Sequence, residues 1–376
     1  MSARKIAIFT DSFYPNVDGV AYRVREMSEE LSRRGFTVRV YFPGRISAVE
    51  NRNSYTAVSQ KGLTFFLYPQ YRIPLLSRYA FENALRFSPD IIHAHTPVSM
   101  GRLSVKVAKR LEITPYATFH TFINDPETIR KYAHLGRSVS LALSKSLNMY
   151  LKRFYARFSW VAAPSDHTKR ALESIGIRKV IRQDIGIDLR SYRDLPSQEE
   201  AKKLLGISPE TKIALYMGRI GAEKNLDVLI RSSGELLKKG IRTVICGSGP
   251  YLEKLRAMAD SFGSDVVFKG FVPEDQKPLY YRSADIFCNP SLFENQSAVD
   301  IEAMSCGTPI LVPKRSSQYE FILAGKAGEA YENESEIPEM AERIISMRHE
   351  YDPSVIAESY SVEGYVDRLL ENYGIS

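Results

Sequence analysis

The sequence predicts an α/β protein built of two doubly wound parallel-sheet domains. Three observations carry this: short β-branched apolar runs alternate with amphipathic stretches of helical period, the alternation occurs twice, and an aperiodic charged stretch divides the two series. A length of 376 residues fits two domains of roughly 150 to 200 residues, each able to bury its own core.

The first series runs "KIAIFT", the helix-like "GVAYRVREMSEELSRRG", then "TVRVYFP", "LTFFLYP", "DIIHAHTP", "SVKVAKRLE" and "PYATFHT". Strands that are apolar throughout, separated by helices, imply parallel strands joined by crossovers and covered on both faces. The opening "MSARKIAIFTDSFYP" starts basic, but its apolar run is short and stops at Asp11. It reads as a first buried strand and not as a signal peptide.

The second series runs "KIALYMGRI", "LDVLIRSSGELLKKG", "RTVICGSGP", "YLEKLRAMADSFG", "VVFKGFV", "LYYRSADIFCNPS", "FENQSAVDIEAMSCGTP" and "TPILVP". Between the series, "LRSYRDLPSQEEAKKLLGISPETK" holds Pro196, Pro209, many charges and little periodicity, which places a linker near residues 190–210. The expected domains are 1–192 and 193–358, and 359–376 is an amphipathic helix expected to pack back on the first domain. Two such domains facing each other leave a cleft between the carboxyl ends of their sheets, where sheets of this kind bind ligands.

Composition excludes several classes. Hydrophobic residues at 44% and charged residues at 25% rule out a disordered or collagen-like chain. No run of about 18 apolar residues is present to span a membrane as a helix. Cys246, Cys288 and Cys306 are an odd number, far apart and without histidines in ligand spacing, and they read as buried reduced thiols of a cytoplasmic protein. The charge is uneven: residues 1–192 hold 30 Lys+Arg against 15 Asp+Glu, and residues 193–376 hold 21 against 29. A basic half joined to an acidic half points to a polyanion at the first domain, although uneven decoration for solubility gives the same count.

The chemistry concentrates at predicted strand ends of the second half. In "YMGRIGAEKN", Gly218-Arg219 follows a strand and Lys224 stands beside Asn225, which is placed to cap the next helix. Two cations at a strand's carboxyl end beside a helix start suit a diphosphate, and a salt-bridged loop is the plainer alternative. "CGSGP" and "GFVPED" end two further strands in turns, with Gly249 in the first letting backbone approach a ligand. In "FENQSAVDIEAMSCGTP", Glu294 sits just past a buried strand and Glu302 about two turns into the following helix. A helix start favours an anion, and a carboxylate accepts two vicinal hydroxyls, so this pair describes a nucleotide sugar.

The order G-R-x-x-x-x-K-N, G-S-G-P, E-x7-E-A-M-x-x-G-T-P resembles glycosyltransferase family 4, retaining enzymes of the GT-B fold with two Rossmann-like domains. "PNVDGV" at 15–20, "HAHTP" at 93–97, "TFHT" at 118–121 and "APSDHTK" at 163–169 extend the resemblance over most of the chain. It implies that Arg219 and Lys224 hold the donor diphosphate, that Glu302 takes the ribose hydroxyls and that Glu294 positions the transferred sugar. It also implies that the backbone around Val272 meets the base, that Gly218, Gly249 and the amides of Ser297, Ala298 and Val299 line the donor, and that Gly19 lets the first domain approach the phosphates. His120 would contact the sugar near the reacting carbon, and domain closure would assemble the site. The implied donor is a UDP-, GDP- or ADP-hexose, with no metal or other cofactor, and the chain has no Asp-x-Asp motif. Two departures stand out: Ser297 where the family has glycine, and "DIGID" where it has Pro-Asn-Gly-Ile-Asp.

Residues 128–165 carry Arg130, Lys131, Arg137, Lys145, Lys152, Arg153 and Arg157 and no Asp or Glu. Within them "SVSLALSKSLNMYLKRFYARF" interleaves Leu, Met, Phe and Tyr with the cations, as an interfacial helix on an anionic bilayer does, or as a helix whose apolar side faces a core does. No nucleic-acid recognition motif accompanies it. "HTPVSMG" and "TFHT" look most like the lipid-glycosylating members, such as diacylglycerol glucosyltransferases and phosphatidylinositol mannosyltransferases. The expectation is a peripheral enzyme on the cytoplasmic face of the membrane that transfers glucose, mannose or galactose to a glycerolipid. The alternatives are a soluble or polysaccharide acceptor, or a silent sugar-nucleotide binder. A nicotinamide dehydrogenase is disfavoured because the first strand ends in "FTDSFYPNVDG", without a Gly-x-Gly-x-x-Gly turn.

Overall fold

A computed structural model describes residues 3–375 apart from 17, 66–67, 75, 121–123, 127–128, 131–135 and 293. The chain divides into two compact units, Met1–Gly186 with Val362–Ser376, and Ile187–Ser361. The divisions fall at 186/187 and 361/362, where the sequence suggested 192/193 and 358/359. The cause is pairing at the second unit's own end: the Ile187 amide donates to the Tyr360 carbonyl at 2.9 Å, and Ile187 bridges Ser361 in parallel.

The first unit contributes β1 (Lys5–Phe9), β2 (Thr37–Gly44), β3 (Ala48–Asn51), β4 (Thr56–Lys61), β5 (Leu63–Phe65), β6 (Tyr68–Ile73), β7 (Ile91–Ala94), β8 (Tyr116–Thr118), β9 (Val161–Ala163) and β10 (Val180–Arg182). Eight of them form one sheet in the order β10-β9-β8-β7-β1-β2-β4-β3, parallel except where β3 meets β4. Along β1 successive side chains take opposite faces: Ile6 and Ile8 enter one buried cluster, Ala7 and Phe9 another. Both faces are therefore cores, as a doubly wound sheet requires. The run "LTFFLYP" does not join this sheet, since β5 and β6 form a separate antiparallel pair. Pro69 within β6 and Pro74 after it lack the amide a central strand needs.

The closing helix Val362–Asn372 belongs to the first unit, where Val362, Tyr365, Val366 and Leu369 pack with Val24, Met27 and Leu31 of helix Gly19–Arg33. Each such buried side chain contributes about 1.5–3 kcal/mol. Trp160 Nε1 donates to the Asn372 carbonyl at 3.0 Å, and Gln183 Nε2 to that of Tyr365 at 3.2 Å. Gly186, in the segment "DIGID", lies so close that a Cβ there would stand 2.5 Å from Tyr365 Cβ. Only glycine fits that approach.

The second unit holds β11 (Lys212–Met217), β12 (Ile241–Cys246), β13 (Val266–Gly270), β14 (Ile286–Cys288), β15 (Ile310–Pro313) and β16 (Gly328–Tyr331). They form a parallel sheet in the order β13-β12-β11-β14-β15-β16. The expected linker is ordered structure of this unit. Ser197 and Glu200 close a capping box that starts helix Gln198–Leu204, and Lys202 pairs with Asp285 at 3.1 Å.

Candidate active site

Three strand-end loops of the second unit are laced together by backbone. The Gly218 amide donates to the Cys246 carbonyl at 3.1 Å, the Ile220 amide to that of Ser248 at 2.8 Å, and the Gly247 amide to that of Gly270 at 2.6 Å. Cβ atoms on Gly247 and Gly249 would stand 1.9 Å from the Gly218 oxygen and 2.2 Å from the Ile220 oxygen. Glycine in "CGSGP" is thus what brings the ends of β11 and β12 together. Val272, just after β13, is buried beside this rim, while Phe271 is exposed.

Both expected cations stand on the loop after β11, and each meets a carboxylate. Arg219 pairs with Glu223, and Lys224 pairs with Glu294, which arrives after β14. The Lys224 and Glu294 side chains keep 21% and 15% of their surface, so the pair is mostly buried but not sealed from solvent. Ser317 Oγ fixes the Glu294 backbone by donating to its carbonyl at 2.7 Å. Asn225 does not cap the next helix, whose N-cap is Leu226. It takes a left-handed conformation (φ 56°), and its Nδ2 donates to the Pro290 carbonyl at 3.3 Å, tying the cation loop to the end of β14.

Helix Ala298–Ser305 follows Glu294, so Glu302 lies about one turn inside it and not two. Its N-cap Ser297 makes no side-chain cap hydrogen bond, and Ala298 and Val299 are half-buried at this helix start, where an anion could be held. Ser297 turns its hydroxyl inward, where Asn289 Nδ2 donates to it at 3.0 Å and to Asp300 Oδ2 at 2.9 Å. Burial pushes the Asp300 carboxyl up to about 7, against the hydrogen bonds from Ser297 and Asn289. Glu302 is also buried, and Tyr281 donates to its Oε2 at 2.9 Å.

In the first unit, Asp18 caps helix Gly19–Arg33 through 3.0 Å bonds from the Val20 and Ala21 amides. Gly19 is exposed, and a Cβ there would meet nothing within 4 Å, so no packing inside the unit demands glycine. His120 follows β8, and its Nε2 lies 2.8 Å from Nδ1 of buried His95. Burial lowers His120 to about 4, a pull that Asp18 opposes.

The first unit matches the family model "Glycosyltransferase Family 4" over residues 17–190, and the second matches "Glycosyl transferases group 1" over residues 197–360. The chain belongs to glycosyltransferase family 4. This family-4 glycosyltransferase is 28% identical to the alpha-monoglucosyldiacylglycerol synthase of Streptococcus pneumoniae, over 98% of this chain and 87% of that protein. It is 26% identical to a GDP-mannose-dependent alpha-mannosyltransferase of Corynebacterium glutamicum, over 91% and 80%. Among solved structures, Anabaena HepE in complex with UDP and glucose matches with a TM-score of 0.75 at 16% identity, over 99% of both chains. The fold is GT-B.

The basic stretch of this glycosyltransferase forms helix Arg137–Tyr155, and its two ends behave differently. The last turns bury Leu151, Phe154 and Tyr155 in the unit's core. The earlier turns bury Ser140 and Ser144 and expose Val139, Leu141, Leu143 and Met149 among Arg137 and Lys145. Lys152, Arg153, Arg157 and Arg130 are exposed as well, and Lys131 lies outside the described residues. Among the described residues, no helix is long and apolar enough to cross a membrane.

Sequence reasoning passed over several residues of these sites. Asp11, read only as the end of an apolar run, accepts from the Ser99 and Met100 amides at 3.1 and 3.0 Å and so caps helix Ser99–Leu111 from the end of the neighbouring strand. No local pattern could announce that. His95, Tyr281, Asn289 and Asp300 are likewise assembled by tertiary structure, although Ser297-x-x-Asp300 did offer a signal in its capping-box spacing.

Proposed function

We propose that this glycosyltransferase, which moves a hexose from a nucleotide sugar, delivers it with retention of configuration to a membrane glycerolipid and needs no metal. The observation that carries the acceptor reading is helix Arg137–Tyr155, which buries serines and turns Val139, Leu141, Leu143 and Met149 outward among cations. An apolar, cationic and carboxylate-free surface suits the interface of an anionic bilayer, where each cation near the surface adds about 1 kcal/mol. The relatives named for diacylglycerol glycosylation support the same acceptor class.

In this reading Arg219 and Lys224 neutralise the donor diphosphate as it departs, released from Glu223 and Glu294. Glu302 accepts the ribose hydroxyls, Glu294 positions the hexose, and His120 meets the sugar near the anomeric carbon. The bond from the anomeric carbon to the phosphate oxygen breaks as the bond to the acceptor hydroxyl forms on the same face. The acceptor's proton passes to the departing phosphate, so no protein nucleophile is required. Flotation with vesicles tests the membrane surface: binding to phosphatidylglycerol vesicles is expected and should weaken with salt and with Leu141→Ser/Leu143→Ser. Binding that ignores salt and lipid charge would contradict it. Transfer should also survive EDTA.

A further inference from the structure

Asp300 is the third residue of helix Ala298–Ser305 and is completely buried. Its surroundings offer few hydrogen-bond donors. Asn289 Nδ2 donates to Asp300 Oδ2 at 2.9 Å and to Ser297 Oγ at 3.0 Å, which uses both amide hydrogens, and the Asn289 side-chain oxygen accepts from the Ser291 amide at 3.3 Å. That last bond fixes which way the amide points. The Ser297 hydroxyl adds one donor to the carboxyl. Among the described residues, Asp300 Oδ1 is buried with no hydrogen-bond partner.

Four titratable groups face this carboxyl. Cys288 of β14 and Tyr216 of β11 are neutral, their ionisation pushed up by burial, while Lys224 and Glu294 are charged and paired with each other. A carboxylate here is a buried charge with few donors and a cation shared with a second carboxylate, whereas a carboxylic acid has no charge to desolvate. Burial accordingly raises the group to about 7, so it exchanges its proton near neutral pH.

A helix start stabilises negative charge within its first turn, and Asp300 lies in that turn. Where Lys224 and this helix start hold the donor diphosphate, an ionised Asp300 competes with it for the same cation and the same partial charges. Lys224 pulls Asp300 toward ionisation. Once Lys224 turns to a phosphate, that pull is lost and the charges of the diphosphate face the carboxyl, and both changes favour the protonated form. Linkage is reciprocal, so a donor that raises the proton affinity of Asp300 binds more tightly when the proton is present.

We propose that Asp300 is a proton-linked gate on the donor site: the donor diphosphate binds the form in which Asp300 is a neutral acid, so donor binding draws one proton from solvent onto the carboxylate and weakens as the pH rises. The proposal rests on the reading that Lys224 and the start of helix Ala298–Ser305 hold the donor.

Titration calorimetry of the full-length protein with UDP-, GDP- and ADP-hexoses, taking the one that binds tightest, tests this link. The diphosphate of a nucleotide sugar is esterified at both ends and keeps its charge between pH 6 and pH 8.5, so a pH dependence belongs to the protein. The dissociation constant is expected to rise roughly tenfold from pH 6 to pH 8.5, and at pH 7.5 buffers of different ionisation enthalpy should report roughly 0.7 of a proton taken up per donor bound. In Asp300→Asn, which keeps an acceptor for Asn289 without the charge, the dissociation constant should stay flat over this range and the uptake should vanish. A flat profile or no uptake in the unaltered protein, or an uptake that persists in Asp300→Asn, would overturn the proposal. Lys224→Ala separates the link from the reading beneath it. Donor affinity lost in that variant, with no pH dependence in the unaltered protein, removes the proton link alone, whereas donor affinity that Lys224→Ala leaves unchanged removes the donor-site reading and the link with it.

Discussion

At the ends of β7 and β8 the first unit gathers neutral polar groups, whereas at the ends of β11 and β14 the second gathers charged ones. The first gathers stacked imidazoles that burial keeps unprotonated, with His95 and His120 hydrogen-bonded to each other. The second gathers Arg219–Glu223 and Lys224–Glu294, with the start of helix Ala298–Ser305 following Glu294. One parallel-sheet plan thus carries two electrostatic solutions. Ion pairs suit a site where negative charge grows on a departing diphosphate, and uncharged donors suit contacts to sugar hydroxyls, whose charge hardly changes.

The charged side is where a single change should do most. Lys224→Ala is expected to lower kcat/KM by ~10²–10³-fold, as loss of a preorganised donor does, and to lower the melting temperature as well, because the mostly buried Glu294 loses its partner. Near-normal turnover would show that the cations of the second unit are structural. Tyr281→Phe is the next largest: it leaves Glu302 Oε2 buried without its donor, at about 1–3 kcal/mol, and should raise donor KM and lower the denaturant midpoint together. An unchanged midpoint would mean that the hydroxyl does not hold Glu302.

The neutral side should reveal itself through pH. His93 and His120 titrate near 3 and 4 in the folded chain and near 6.5 when unfolded, so in between the unfolded chain binds more protons. Stability should therefore be full above about 6.5 and fall as the pH drops toward 4. His93→Gln should flatten that fall in thermal melts, and an unchanged slope would count against a buried neutral histidine.

The smallest effect comes from Asp300, whose sign is opposite. Its carboxyl is raised from 3.8 to about 7, so the folded chain binds the extra proton and stability is lost as pH rises through that window. Glu294 pushes it up and Lys224 pulls it down. In Asp300→Asn the change in melting temperature relative to the unaltered protein should be more favourable at pH 8 than at pH 5.5. Equal changes at both values would show that Asp300 does not titrate between them.

Both parallel sheets were legible because fully apolar runs such as "KIAIF" and "KIALYM" leave a buried strand little alternative. The spacing also placed the glycines of "CGSGP", Arg219, Lys224 and Glu294 after strands, as they are, and put Glu302 inside the following helix, though a turn too deep. Bonds between distant segments were not legible: Asp11 to the helix at Ser99, Tyr281 to Glu302, and His95 to His120 have no local signature. The ordered stretch at 197–204 was missed because proline and charge outweighed the Ser197–Glu200 capping box that starts its helix.

The most direct test is transfer from radiolabelled UDP-, GDP- and ADP-hexoses, with and without total lipid extract, followed by phase partition. Lipid-dependent label in the organic phase is the expected result, and it would name the donor at the same time. Label released or transferred only in the aqueous phase would contradict the lipid acceptor, and donor binding without turnover would contradict hexose transfer itself.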